Sequence, residues 1–204
     1  MYALITDGSI TKYLSGNRGI TLGDIQYPRS IFSLWTKSER EAIGIYEVVH
    51  NNTNKKDEQW YINTNVSYAF ADGVVTASYG SSTAKAHADT LFTAQDEIDG
   101  KGTEGEVATR GLKYNLIRTV KAQAAGILQD TDWYIVRKAD AGTAVPSVIT
   151  THRAAVRTKC ASQETQITNA SDTPAIETLY AYVNTADEGD PVVMERPLGE
   201  LPTL

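Results

Sequence analysis

The sequence predicts an α+β chain in four parts. These are a small N-terminal antiparallel β domain (1–80), an acidic flexible linker (81–108), a helical domain (109–184) and an acidic, Pro-rich extended arm (185–204). Three observations lead there. Apolar residues alternate between Asp-Gly turns in the first 80 residues, and recur at steps of three and four after residue 109. Charge falls in blocks: 7 basic and 8 acidic side chains in 1–80, 2 and 6 in 81–108, 9 and 3 in 109–160, 1 and 8 in 161–204. A basic helical stretch is thus flanked by two acidic ones.

In the β domain, Tyr2–Thr6 and Ser9–Leu14 flank Asp7-Gly8, whose residues tolerate the positive φ of a two-residue hairpin turn. Ile20–Leu22 and Ile25–Tyr27 form a second short hairpin around Gly23-Asp24, ended by Pro28. Thr36 and Glu39 have capping-box spacing, so a short helix starts there and stops at Gly44. Ile45–Val49 reads as a strand. Residues 59–62, 66–71 and 74–79 read as a three-strand meander, with Val66, Tyr68 and Phe70 on one face.

The linker is rich in Ala, Thr, Gly and acidic residues, with Leu91-Phe92 as an anchor. Beyond it, Leu112, Leu116, Val120, Ala124 and Ile127 or Leu128 form one helical stripe. Ile149, His152, Val156, Cys160, Gln163 and Ile167 form a second, after a turn at 142–146 with Pro146 suited to a helix start. Ile176, Leu179, Tyr180 and Val183 form a third. An antiparallel helical hairpin or a three-helix domain is the natural packing. Between the first two stripes, Trp133–Val136 is compatible with either a short strand or a helical turn. Thr185–Leu204 holds three Pro and five acidic residues, and reads either as a disordered tail or as an arm docking through Val192-Val193-Met194 and Leu198.

Composition narrows function by class. The chain has 204 residues and a net charge of −6, which disfavours a global nucleic-acid footprint. No run reaches the ~20 apolar residues of a membrane helix, and the opening residues do not resemble a signal peptide. One Cys, Cys160, allows no internal disulfide and suits a reducing cytoplasm. The sequons at Asn51, Asn65 and Asn169 read as chance matches.

Each motif with chemical potential has a plainer explanation. Gly100, Gly102 and Gly105 satisfy G-x-G-x-x-G, but an acidic segment precedes them where a dinucleotide site needs a strand. Asp96, Asp99 and Glu104 lack EF-hand spacing. His50, His87 and His152 do not pair at metal spacing, and His152 reads as a core residue. Cys160 lies on the apolar stripe, where a thiol is packing. No catalytic, cofactor or metal residues are therefore assigned. The basic side chains of 109–160 read as a solvated face that pairs with acidic segments, the acidic arm among them.

Two stretches carry a family likeness. The opening hairpin, Tyr27-Pro28-Arg29-Ser30-Ile31-Phe32-Ser33-Leu34-Trp35-Thr36 and Ala42-Ile43-Gly44-Ile45-Tyr46 resemble the N-terminal domain of small tail-region proteins of tailed bacteriophages, especially marine and cyanobacterial ones. Leu128-Gln129-Asp130-Thr131-Asp132-Trp133, Gly142–Pro146 and Thr151-His152-Arg153-Ala154-Ala155-Val156-Arg157 are similar to the C-terminal region of phage tail assembly chaperone and tail-fibre assembly proteins. His152 stands where that pattern usually has Tyr. Together the stretches span about half the chain.

The resemblance implies a non-catalytic protein of the virion tail, baseplate or fibre region. It would be made in the host cytoplasm and act through contacts with other tail, baseplate or fibre proteins, as an oligomer within the assembly. Trp133, Pro146, Arg153 and Arg157 carry over as pattern residues with positioning or interface roles, and Trp35 is added from the first stretch. Two rivals are kept: an assembly chaperone released after use, and a receptor- or glycan-binding module stacking sugars on Trp60, Tyr61, Tyr68 and Tyr79. A small hydrolase is a more distant reading.

Overall fold

The computed structural model describes residues 1–204. The chain divides into two compact units, Met1–Thr83 and Ala84–Leu204.

The first unit is built on a five-stranded sheet of order β2-β1-β5-β8-β7. Its strands are β1 (Tyr2–Thr6), β2 (Ser9–Leu14), β5 (Ile45–Asn51), β7 (Ser67–Ala71) and β8 (Val74–Ser78). Strands β3 (Ile20–Leu22) and β4 (Ile25–Tyr27) form a separate hairpin. Two short helices follow, α1 (Ile31–Leu34) and α2 (Lys37–Ala42). The α2 capping box forms: Thr36 accepts from Glu39 N–H, and the Glu39 carboxylate accepts from Thr36 N–H at 2.7 Å. Gly44 then reverses the chain at φ +78°, with the Ile5 carbonyl 2.7 Å from where a Cβ would stand. Only glycine fits both demands.

The sheet is mixed rather than wholly antiparallel. β5 and β8 run parallel, Val48 opposite Val75. The expected meander fails at its first strand. Trp60 and Tyr61 both donate their N–H to Asp57 O, at 3.1 and 2.9 Å, which makes a turn. Only β6 (Tyr61–Ile62) remains extended, outside the main sheet. With no strand there to reverse direction, β7 takes the edge and β8 enters parallel to β5.

Side chains on β1 alternate between two cores. Tyr2 and Leu4 join Leu14, Ile20, Ile31, Phe32 and Ile45 on the face covered by β3–β4 and α1. Ala3 and Ile5 join Val48, Val75, Ala77 and Phe70 on the other. That second face is concave. The outer strands β2 and β7 approach one another, with the Tyr13 and Tyr68 rings 4.7 Å apart. Ala3 and Ala77, both fully buried, suit its narrow interior.

In the second unit the expected flexible linker is instead structured. β9 (Thr83–Ala84) spans the boundary. β10 (Thr90–Leu91) pairs with β11 (Val107–Thr109), and α3 (Ala94–Ile98) lies between them. α3 has its own capping box, Thr93 with Asp96. Residues 85–89 cap α4 (Leu112–Gln129) and tether the start of α7 (Thr173–Tyr180), whose own N-cap is Asp172. Ala86 O and His87 O accept from Leu112 and Lys113 N–H, both at 3.0 Å. Asp89 accepts from Gly111 N–H and from Arg110, and Lys85 O accepts from Thr173 Oγ1. Composition hid this, because the bonds use main-chain groups and small polar side chains.

α4 packs against α6 (Ser147–Asn169) through Val120, Ala124, Val156, Cys160 and Ile167. α5 (Asp132–Ala141) links them, a full helix with no buried side chain. The segment after residue 185 does not behave as one arm. β12 (Val183–Asn184) and β13 (Met194–Glu195) form an exposed ribbon. Beyond it the chain returns to the core. Leu198 is 1% exposed among the α4 and α6 side chains, and its N–H donates to Leu179 O at 3.0 Å. No helix is long and apolar enough to cross a membrane.

Candidate functional site

A concavity lies in the first unit, beside the loop that joins β2 to β3. Lys12, Tyr13, Leu14, Ser15, Arg18 and Phe32 help line a groove of about 620 Å³. A smaller hollow continues it past Tyr2, Arg29, Ser30 and Ser33. The floor is firm. Leu14, Ile20 and Phe32 are buried, and Tyr2 OH donates to Phe32 O at 3.1 Å. Arg40 supports Tyr2 from behind, 5.4 Å from the ring centroid, and donates to Trp35 O. Gly16, at φ +75°, lets the loop pass close to the Tyr2 ring.

Lys12, Arg18 and Arg29 form no salt bridge within the chain, and no carboxylate lines either hollow. The groove therefore holds an uncompensated positive field in a chain of net charge −6. Such a groove attracts anionic groups. It carries no nucleophile–base pair. Sequence reading passed over these three cations because Lys12, Arg18 and Arg29 are scattered along the chain. Only the β2 turn and the path into α1 bring them together.

The sequence-predicted residues fall into different settings. Trp35 is half-buried, edge-on to Tyr27 with ring centroids 5.8 Å apart. Trp133 is 49% exposed, stacked on Tyr134 and beneath Arg137. Pro146 stands at the N-cap of α6, and Arg157 is exposed on that helix.

Arg153 is buried. Its Nη1 donates to Leu128 O at 2.7 Å and to Thr131 Oγ1 at 2.6 Å, and its Nη2 to Asp132 Oδ1 at 2.7 Å. It thus pins the α4–α5 corner to α6, a positioning role without exposure to a partner. The aromatics proposed for sugar stacking are mostly closed. Trp60 and Tyr61 are buried, Tyr68 meets Tyr13, and Tyr79 lies under Lys55.

The other motifs have structural uses. Gly100 and Gly105 take positive φ, and Gly102 lies against the Phe92 ring, too close for any side chain. The glycine motif therefore shapes the turn after α3 and frames no phosphate cradle. Asp96 accepts from Thr93 N–H, Thr93 Oγ1 and Lys101, which holds its carboxyl down at about 2. His152 is buried, His87 half-buried and His50 exposed. No group of three or more His, Cys, Asp or Glu side chains could hold a metal ion. Burial, with a hydrogen bond to Glu164, pushes the Cys160 thiol up. Basic residues of the helical unit pair with Asp89 and Glu164, outside the acidic arm.

Comparison with protein-family models, curated proteins and solved structures finds no match.

Proposed function

We propose that this chain is a non-catalytic bacteriophage tail protein. It would act by protein–protein contact in the virion tail, baseplate or fibre region. One observation carries the reading beyond the likeness in sequence. The two halves of the tail-assembly pattern, Thr131-Asp132-Trp133 and Arg153, lie about 20 residues apart yet share hydrogen bonds. The pattern thus describes one structural corner, which is what a family motif with a positioning role requires.

That corner displays α5, whose Trp133, Ile135 and Val136 are exposed on a helix with no buried side chain. Exposed aromatic and branched side chains beside Arg137 have the composition of a contact surface. Trp133 is the residue expected to anchor a tail, baseplate or fibre partner, with Arg157 and Pro146 on the adjoining helix.

Quantitative mass spectrometry of purified particles and of infected-cell lysates tests the proposal. Peptides in fixed ratio to a known tail protein support a virion component. Presence on tail intermediates but absence from particles supports the released chaperone. Absence from both overturns the tail reading.

A further inference from the structure

Two features each lack an ion-pair partner within their own unit, and they are complementary. The first is the groove of Lys12, Arg18 and Arg29, with no ion pair and no carboxylate in its lining. The second is the ribbon of residues 183–195. It carries Asp187, Glu188, Asp190 and Glu195 and no basic residue. None of those four forms a salt bridge within the chain. The ribbon also turns apolar side chains to solvent: Val183, Val192, Val193 and Met194 are 45–70% exposed. Its two strands pair only with each other, so each keeps a free edge.

We propose that the acidic ribbon of one copy docks in the cationic groove of a second copy. This deepens the assembly reading, since it specifies a contact between copies, and it is tested without reference to any phage particle. Charge matches on both sides, three cations against four carboxylates. Opposite uncompensated fields steer association and fix its register.

The contact is heterologous, because it joins a patch on the first unit to a different patch on the second. Such contacts build rings when the rotation closes and open chains when it does not.

Analytical ultracentrifugation of the full chain across concentration and salt is the test. Self-association that weakens as salt rises is expected. Groove reversal (Lys12→Glu, Arg18→Glu, Arg29→Glu) and ribbon reversal (Asp187→Lys, Glu188→Lys, Asp190→Lys) should each weaken it by at least ~10-fold. Mixed together, the two variants should associate again, because each supplies the other's complement. All six positions are exposed, so folding is spared, and circular dichroism checks it. The single changes Arg18→Glu and Glu188→Lys stand in if a triple variant misfolds. A wild-type chain that stays monomeric overturns the proposal, as does a groove variant that associates like wild type or a mixture that stays monomeric. The particle measurement above can fail or succeed independently of this one.

Discussion

Arg153 and Asp132 form the salt bridge with the most deeply buried cation, with Nη2 2.7 Å from Oδ1 and a side-chain exposure of 7% on the Arg against 56% on the Asp. The asymmetry decides what the pair does. The guanidinium is held mainly by Leu128 O and Thr131 Oγ1, while the carboxylate stays at the surface. Replacing Arg153 by Ala should therefore cost about 2–3 kcal/mol, from unpaired buried acceptors. Asp132→Asn should cost under ~1 kcal/mol, in line with an exposed partner. Urea denaturation of the two variants measures the difference, and equal losses would contradict this division.

Leu198 should be a core residue in energetic terms. Leu198→Ala is expected to destabilise the second unit by about 2–5 kcal/mol, seen as a lower denaturation midpoint. Val192→Ala, on the exposed ribbon, should fall within ~0.5 kcal/mol of wild type.

Gly44 and Gly73 have nearly the same φ, +78° and +74°, but only Gly44 has a backbone atom where a Cβ would go. Gly73→Ala should cost about 1 kcal/mol from left-handed strain alone. Gly44→Ala should cost clearly more, since Ile5 O must also move. Thermal denaturation of the pair separates strain from clash.

Asp96 should titrate near 2, well below an ordinary Asp, and NMR chemical shifts of its side chain report this directly. A lowered folded-state pKa gives stability that is present above the unfolded value and lost as pH falls through the folded one. The α3 cap should therefore persist at pH 4 and loosen between about pH 4 and 2. Amide exchange at Thr93 and Glu97 should rise in that window, and Asp96→Asn should remove the dependence.

Cys160 should react slowly with a thiol reagent in the native state and quickly in urea. Burial, together with the bond to Glu164, disfavours its thiolate. Rapid native labelling would mean that α6 opens locally.

The elements that the sequence announced are those specified by local chemistry. The Asp7-Gly8 hairpin, the Thr36–Glu39 cap and the α6 stripe from Ile149 to Ile167 each depend on residues within a few turns. What stayed hidden depends on distant partners. Nothing in residues 85–89 alone says that they cap α4, since the bonds are main-chain carbonyls meeting amides 26 positions on. Leu198 sits in a Pro-rich acidic segment whose average polarity conceals one buried side chain. Of the positions chosen for contact, Trp133 and Arg157 are exposed, while Arg153 turned inward. A charged residue on a helix is read as solvated unless its acceptors are known, and here they lie at the α4–α5 corner, more than twenty residues earlier.

The parallel pairing of β5 with β8 sets a kinetic condition on the first unit. Val48 must find Val75 across a loop that has to close without the help of a tight turn. Its entropy cost falls due before any of the buried contacts it allows. The hairpins on either side, β1–β2 and β7–β8, join neighbouring residues and should form early. The unit should then fold in two tempos, with fast flanks and a slow central seam. Mutations at Val48 or Val75 would show their effect in the rate of folding more than in the rate of unfolding.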